Sequence, residues 1–163
     1  AEVYAPAPGS EGPIHNMAAD IAQQIAVGLD VTGVLAVELF ETTDERLLVN
    51  ELAMRPHNSG HWTIEGSVTS QFEQHLRAVL DLPLGSTAMR GEWAVMVNIL
   101  GGPSSDSLAE RLPHALAHHA DVKVHLYGKQ PRPGRKVGHV TVLADILEDA
   151  VAQARGAAAF FQD

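Results

Sequence analysis

The residues best suited to chemistry lie in one short stretch, VNELAMRPHNSGHWT at positions 49–63. Within it, the segment 55–61 contains an arginine, two histidines, an asparagine and a serine. The Arg55 guanidinium offers two parallel hydrogen bonds to a phosphate or a carboxylate. His57 and Asn58 can orient a small polar substrate through directed hydrogen bonds, and Gly60 permits the tight backbone that places them. The stretch therefore predicts a loop that binds a small polar or anionic substrate.

Two glutamates are expected beside this loop. Residues 33–40 and 47–53 each favour a β-strand, and ETTDER between them favours a turn, so the strands form an antiparallel hairpin. Glu38 then faces Asn50 or Glu51, with facing Cβ atoms about 4.5–5.5 Å apart. Two carboxylates this close repel unless a proton or a cation lies between them. Magnesium binds one or two protein carboxylates together with phosphate oxygens and water, so these residues fit a magnesium–nucleotide edge. A hairpin with two solvated glutamates is the alternative.

A basic segment in the second half of the chain is another candidate site. Five of the eleven lysines and arginines lie there: Lys123, Lys129, Arg132, Arg135 and Lys136. No aspartate or glutamate occurs between Asp121 and Asp145. The net charge of −9 argues against a general nucleic-acid binder. A local positive site in an acidic protein suits a small anion such as a phosphate, and a solvated basic loop is the alternative.

Helices and strands must position these residues. Residues 1–13 are rich in proline and glycine and predict an irregular entry. Residues 14–29 carry apolar side chains at helical spacing and predict an amphipathic helix. A second helix is predicted at 70–80, where Ser70 and Glu73 have the spacing of a capping box. Its predicted buried face consists of Phe72, Leu76, Val79 and Leu80.

The sequence changes character after a predicted linker at 81–87. The elements predicted beyond it are strands at 92–101, 121–129 and 134–144 and helices at 105–119 and 146–160. Asp145 and Glu148 have the spacing of a cap for the last helix. The predicted fold class is α+β, with a domain boundary between residues 86 and 87.

Three histidines, His114, His118 and His119, raise the question of a zinc site. Residues four apart share one face of a helix, as zinc ligands can. However, no third ligand at a fixed spacing is evident, and Pro113 disturbs the start of the predicted helix. The sequence therefore favours a solvated helix here.

Composition restricts the setting of the protein. The sequence has no cysteine, which excludes disulfides, iron–sulfur clusters and thiolate zinc and fits a reducing compartment. Its longest apolar runs are far shorter than the ~20 residues of a membrane-spanning helix. The first residues, AEVYAPAPG, lack the basic start and apolar core of a signal peptide. We therefore expect a cytoplasmic protein without membrane or nucleic-acid partners.

Residues 33–87 closely resemble the carboxyaminoimidazole ribonucleotide synthases, ATP-grasp enzymes of bacterial and fungal purine synthesis. NELAMRPHNSGH is the specific part of this likeness, and VNILG, HLYGK and GRKVGHVTV resemble the C-terminal domain of that family. The resemblance implies the second half of an ATP-grasp domain at 1–86 and a small β-rich C-terminal domain with a terminal helix at 87–163. It also implies an ATP-dependent carbon–nitrogen ligase. ATP would phosphorylate bicarbonate to carboxyphosphate, and the amine of aminoimidazole ribonucleotide (AIR) would capture the activated carboxylate.

The resemblance implies which residues hold the cofactors and the substrate phosphate. Magnesium would be bound by Glu38 and Glu51. The ATP site would include Asn50 and Glu51. The ribose phosphate of AIR would be held by Lys129, Arg135 and Lys136.

The loop from Arg55 to Ser59 would form the wall shared by bicarbonate and AIR. Arg55, His57 and Asn58 would take the catalytic roles in that wall. His57 and Asn58, together with Ser59, would also contact the substrate.

The resemblance covers only the C-terminal portion of the family's enzymes. Those enzymes carry an N-terminal nucleotide-fold domain and the first half of the grasp, which supply the lysine and the loop that hold the ATP phosphates. We therefore expect this chain to need that upstream half for activity, and the resemblance also implies a homodimer. Two alternatives stay open: a non-catalytic piece that serves folding or dimerisation, and an ATP-grasp ligase with a different acceptor.

Overall fold

The computed structural model describes residues 1–9, 12–101 and 108–162. In chain order the elements are β1 (Glu2–Ala5), α1 (Pro13–Gly28), β2 (Ala36–Glu41), β3 (Leu47–Ala53), a 3-10 turn (Asn58–Gly60), α2 (Thr63–Gly66), α3 (Gln71–Val79), β4 (Trp93–Leu100), α4 (Leu108–His118), β5 (Lys123–Leu126), β6 (Lys136–Ala144) and α5 (Leu147–Ala159). The strands form one two-stranded and one four-stranded antiparallel sheet. Helices and antiparallel sheets together confirm the α+β class.

The chain forms two compact units. The hairpin unit is Ala7–Ala88, and the sheet unit combines Ala1–Pro6 with Met89–Asp163. The sequence suggests a boundary between residues 86 and 87, whereas the contacts divide the chain after Ala88 and group the first six residues with the later unit. The reason is that β1 pairs with β4, so the prediction of an irregular entry is wrong for this strand.

The sheet unit is built on four strands in the order β1-β4-β6-β5. Valines of β4 and β6 form a continuous core with α5, which lies against these two strands. The buried side chains that α5 contributes are small: Ala150, Ala154, Ala157 and Ala158. Their helical spacing gives α5 one apolar face, and their size lets that face lie close to the sheet. Phe161, fully buried just beyond the helix, completes the core.

An ion pair joins β1 to α5. Arg155 donates from Nε and from Nη2 to the two carboxylate oxygens of Glu2, each at 2.7 Å. The Tyr4 hydroxyl donates to the same carboxylate. These bonds stabilise the ionised form, with Arg155 contributing most, and they lower the pKa of Glu2 to about 2. The N-terminal strand is thereby held to the last helix as well as to β4.

The hairpin unit contains α1, the β2–β3 hairpin, the 3-10 turn and the helices α2 and α3. The predicted helix at 14–29 and the predicted strand at 47–53 are both confirmed, and α1 packs against β3. Ser70 caps α3 as predicted, since its Oγ accepts from the Glu73 backbone N–H at 3.3 Å. The Glu73 carboxylate pairs with Arg77 one turn further along the helix, at 2.5 Å.

The face of α3 that was predicted to be buried is exposed in the described part of the chain. The four apolar side chains predicted to form it are all exposed: Phe72 to 39%, Leu76 to 57%, Val79 to 46% and Leu80 to 64%. The side of α3 that faces the interior of the unit carries Gln71, Gln74 and His75 instead, and each of them hydrogen-bonds the backbone of a loop. Residues three and four apart share a helical face, so α3 is attached to the described part of this unit by a polar stripe.

The last helix of the sheet unit differs from its predicted start. α5 begins after Ile146 and has no capping side chain, so the predicted Asp145 cap is wrong. Its first turn carries Glu148 and Asp149, whose charges suit the positive end of the helix dipole. Of the helix predicted at 105–119, residues 105–107 lie outside the described residues.

Across the described ranges, the structure contains no helix that is both long and apolar enough to cross a membrane.

Candidate functional site

Glu38 and Glu51 face each other across the hairpin. The sequence left open whether Glu38 faces Asn50 or Glu51, and an irregularity in the register explains why both are close. Leu39 pairs with Val49, so Asn50 is an extra residue in β3. A β-bulge of this kind bends the strand and re-aims a side chain. Asn50 consequently donates from Nδ2 to Glu38 Oε2 at 3.1 Å while Glu51 keeps its facing position.

His57 completes this cluster. Its Nε2 lies 3.5 Å from Glu38 Oε1, and ligand atoms of Glu38, Glu51 and His57 all lie within 4.8 Å of one another. The other ring nitrogen, Nδ1, accepts from the Ser59 backbone N–H at 3.3 Å and lies 2.9 Å from Ser59 Oγ. The bond from the Ser59 N–H to Nδ1 selects the tautomer of a neutral His57 ring with its proton on Nε2, the nitrogen nearer Glu38. His57 is therefore arranged as a hydrogen-bond donor, and the oxygen ligands that suit magnesium are the two glutamates.

The 3-10 turn fixes the residues around His57. His57 precedes the turn in an extended conformation and caps it with its side chain. Asn58 opens the turn and is half-buried, and Ser59 follows it at the surface. Arg55 is exposed and, among the described residues, its Nη1 donates to the Pro56 carbonyl at 3.1 Å rather than to either glutamate. The structure thus brings together Glu38, Asn50, Glu51, His57 and Ser59, and it leaves Arg55 outside the cluster.

Gln71 also belongs to this site, although it was not among the predicted site residues. Its Oε1 accepts from the His57 backbone N–H at 2.9 Å, and its Nε2 donates to the His57 carbonyl at 2.8 Å. Nε2 also lies 2.8 Å from His61 Nδ1. Gln71 is only 8% exposed, which is low for a polar side chain. The sequence signal that could have indicated it is the polar stripe of glutamines and histidine on α3.

The three predicted phosphate-binding cations lie in the sheet unit, on and beside the connection from β5 to β6. Lys129, Arg135 and Lys136 are all exposed, and Lys136 is the first residue of β6. Lys129 Nζ lies 5.2 Å from the centre of the Tyr127 ring. The Tyr127 hydroxyl in turn lies 2.7 Å from Nδ1 of the buried His139. The aromatic ring beneath Lys129 is therefore anchored to the sheet.

The histidines of α4 form no metal cluster with one another in the described part of the chain, where the group suited to a metal is that of Glu38, Glu51 and His57. His114 and His118 are exposed, as a solvated helix requires. The His118 and His119 rings lie 5.3 and 5.9 Å from the Phe160 ring centre. These two histidines therefore contribute to packing at the end of α5.

Two family models match the chain. An ATP-grasp domain matches residues 1–72. The C-terminal domain of phosphoribosylaminoimidazole carboxylase matches residues 94–153. The first match contains the carboxylate hairpin and the His57 loop, and the second contains the cationic connection.

Relatives and solved structures agree with these matches. An N5-carboxyaminoimidazole ribonucleotide synthase of Mycobacterium bovis is 60% identical over 143 residues, which cover 86% of this chain and 33% of the relative. The ATP complex of an Aspergillus clavatus carboxyaminoimidazole ribonucleotide synthase has a TM-score of 0.85 at 38% identity, over 97% of this chain and 42% of that one. Another A. clavatus structure, with ADP and 5-aminoimidazole ribonucleotide, has a TM-score of 0.83 at 39% identity, over 94% and 42%. The chain spans about a third of the length of the curated relatives that it matches.

The fold, the carboxylate hairpin and both matches define the chain as an ATP-grasp protein that carries the C-terminal domain of phosphoribosylaminoimidazole carboxylases. Within that class, it belongs to the N5-carboxyaminoimidazole ribonucleotide synthase family and corresponds to the C-terminal portion of its members.

Proposed function

We propose that this chain forms part of an ATP-dependent carbon–nitrogen ligase that carboxylates AIR with bicarbonate in purine synthesis. The observation that carries the proposal is the meeting of Glu38, Glu51 and His57 beside the 3-10 turn. The names of the relatives, and the complex of one with ADP and 5-aminoimidazole ribonucleotide, support this reaction. In it, the γ-phosphoryl group of ATP passes to bicarbonate and leaves ADP. AIR nitrogen then takes the carboxylate from carboxyphosphate and releases phosphate.

Glu38 and Glu51 would hold the magnesium ion that accompanies ATP. A carboxylate has about four lone-pair sites, so Glu38 can accept from Asn50 and His57 and still bind a cation. Glu51 faces it with the second negative charge, and oxygen ligands of this kind are those magnesium prefers. Bound there, the ion would neutralise charge on the phosphate oxygens during transfer. Asn50 and Glu51 would form the edge of the ATP site.

The loop after β3 would hold what ATP activates and what receives it. His57 is fixed by its contacts with Glu38 and Ser59 and presents a ring edge at the carboxylate cluster. Arg55 is exposed, so its guanidinium can turn to an incoming bicarbonate or carboxyphosphate. Asn58 and Ser59 would add directed hydrogen bonds to the substrate.

The cationic connection of the sheet unit would bind the ribose phosphate of AIR. Lys129, Arg135 and Lys136 are exposed on a segment without acidic residues, so an anion can approach them. The Tyr127 ring, which is anchored to the sheet, holds the Lys129 ammonium group through a cation–π contact.

The chain would need the rest of the protein for activity. Among the described residues, all exposed large hydrophobic side chains other than Leu116 and Ile146 lie in the hairpin unit. A surface with many exposed apolar side chains marks an interaction site. The matched relatives are about three times as long as the part of them that this chain covers. We propose that the upstream part of the protein covers this surface and supplies the remaining ATP contacts. Homodimerisation and a cytoplasmic location stay predictions.

Phosphate release from ATP, measured with bicarbonate in the complete protein that contains this chain, tests the proposal. We expect AIR to stimulate release, and we expect Glu51→Gln to lower the stimulated rate by about two orders of magnitude or more. Glu41→Gln, an exposed substitution at the end of β2, is the matched control and should leave the rate unchanged.

The outcomes of this experiment also test the two alternative functions. ATP hydrolysis that needs Glu51 but ignores AIR would mean an ATP-grasp ligase with a different acceptor. A folded, complete protein in which Glu51→Gln changes no ATP turnover would mean that this chain serves folding or dimerisation.

A further inference from the structure

Gln71 binds both backbone polar groups of His57 with a single carboxamide. Its oxygen accepts from the His57 N–H at 2.9 Å, and its nitrogen donates to the His57 carbonyl at 2.8 Å. The two bonds reproduce the pairing that a neighbouring β-strand would give His57. His57 has the extended conformation that such pairing requires, with φ −122° and ψ 154°.

The side chain suits this task in chemistry and in placement. A carboxamide offers a donor and an acceptor together, whereas a carboxylate offers only acceptors. Gln71 is the first residue of α3, directly after the capping Ser70, so the helix start fixes its position. At 8% exposed, the amide is also shielded from competing water.

Gly60 gives an independent indication that Gln71 must lie this close. A Cβ at Gly60 would stand 2.5 Å from Gln71 Oε1 and 2.9 Å from its Cδ. Gly60 does not have a positive φ of the kind that favours glycine, so space for the amide is what requires a glycine here. The Thr63 hydroxyl closes the arrangement, because it donates to the Gly60 carbonyl at 2.6 Å and accepts from the Gln71 N–H at 2.9 Å.

We propose that Gln71 is a positioning residue, which holds the His57 backbone so that the imidazole reaches Glu38 and the substrate wall keeps its shape. It acts through His57. This inference rests on the proposed function of the His57 loop. The hairpin pairing itself holds Asn50 and Glu51, so loss of Gln71 should harm turnover more than ATP binding.

Gln74 provides a matched control one turn further along α3. Its carboxamide makes the same kind of paired contact, accepting from the Gly85 N–H at 2.9 Å and donating to the Gly85 carbonyl at 2.7 Å. That loop contains none of the proposed site residues. Gln71→Ala and Gln74→Ala therefore each remove a paired contact with a loop backbone, and only the first removes it from the site. Gln71→Ala also removes the contact with His61 Nδ1.

The test uses kcat, the KM for ATP and Tm of the complete protein. We expect Gln71→Ala to lower kcat by about tenfold or more, because small misplacements of site residues are costly, with KM for ATP nearly unchanged. Gln74→Ala should lower Tm, because it also removes a paired contact with a loop, but it should leave kcat unchanged. Unchanged kcat in Gln71→Ala, or an equal loss of kcat in both variants, would overturn the proposal. If Gln71→Ala does not fold, Gln71→Glu replaces it in the test, since it keeps the acceptor and loses the donor. The same loss of kcat, with KM for ATP nearly unchanged, is expected of that variant.

A double-mutant cycle with Gly60 tests the same geometry from the other side. Gly60→Ala should push the Gln71 amide away and reduce kcat as Gln71→Ala does. In the Gln71→Ala background, the same substitution should add little, because the obstructed amide is gone. Losses that multiply would show that Gly60 and Gln71 act independently and would overturn the proposal.

Amide hydrogen exchange separates this inference from the proposed function. The His57 N–H should exchange about tenfold faster or more in Gln71→Ala than in the wild-type protein, and at the wild-type rate in Gln74→Ala. Unaltered exchange in Gln71→Ala would overturn the positioning role. Gln71-dependent exchange in a protein without AIR-stimulated turnover would support the positioning role and refute the function proposed for the loop.

Discussion

Asn50 donates a hydrogen bond to Glu38 across the hairpin at 3.1 Å, and it can do so because it is the extra residue of a β-bulge. A regular ladder would send the side chains of Asn50 and Glu51 to opposite faces of the strand. The bulge lets Asn50 reach Glu38 while Glu51 faces it. The amide offsets part of the negative charge that the two carboxylates gather. The remaining charge is the feature that suits the site to a divalent cation.

Replacing Glu51 with glutamine should stabilise the metal-free protein. The substitution removes one of two facing like charges, which oppose strand pairing by roughly 0.2–1 kcal/mol. Thermal unfolding in the presence of a chelator measures the difference, and Glu41→Gln should leave Tm unchanged. A lower Tm for Glu51→Gln under these conditions would contradict the repulsion between the carboxylates. Added magnesium should raise the Tm of the wild-type protein more than that of the variant.

Lys129→Ala and Arg135→Ala should each raise the concentration of AIR that gives half-maximal turnover in the complete protein. A charge-assisted hydrogen bond to phosphate contributes roughly 1.5–3 kcal/mol, so an increase of about tenfold to a hundredfold is expected for each. Lys123→Ala, at the start of β5 and outside the connection, is the control and should have no such effect. Unchanged AIR dependence in both variants would mean that the cationic connection binds something else.

The hairpin could be predicted because its signals are local. Apolar and polar residues mark both strands, and ETTDER marks the turn, so β3 matches the predicted 47–53. That pattern placed Glu38 opposite Asn50 or Glu51. Asn50 was predicted to belong to this edge, but the bulge that lets its side chain reach Glu38 could not be predicted, because nothing in the residue types of β3 reveals it.

In α3, the sequence pattern predicted the helix but not which of its sides faces the interior of the hairpin unit. Its apolar residues have helical spacing and predicted a buried face, but Leu76 and Leu80 are 57% and 64% exposed. Burial follows from what packs against a helix, and here the interior side uses hydrogen bonds to loops. Gln71 holds the His57 loop, Gln74 holds Gly85, and His75 Nδ1 accepts from the Val34 N–H at 3.1 Å. Sequence patterns weigh apolar residues most heavily, so a functional polar stripe was missed.

Gly33→Ala should destabilise the protein by about 1–3 kcal/mol, the range for a strained backbone conformation. Gly33 has φ +108°, which alanine adopts poorly, and an added Cβ would lie 2.6 Å from His75 Nδ1. The clash would also displace the ring that accepts from Val34. Gly28→Ala is the control, since a Cβ there has open space at the end of α1, and it should be neutral or slightly stabilising. Denaturant unfolding of both variants measures the contrast, and equal stabilities would contradict the role of Gly33.

Arg155→Gln should destabilise the protein at neutral pH by an amount that shrinks in acid. Hydrogen bonds from Arg155, which contributes most, and from Tyr4 lower the pKa of Glu2 from its ordinary 4.5 to about 2 in the folded protein. A carboxyl group with a depressed folded pKa contributes stability above its unfolded value, and the contribution is lost as pH falls through the folded value. The Tm difference between wild type and variant should therefore be full above pH 4.5 and disappear toward pH 2. Lys123→Gln, an exposed substitution of the same charge change, should show no such dependence. A wild-type advantage that stays constant or grows in acid would mean that the Glu2–Arg155 pair does not hold β1 to α5.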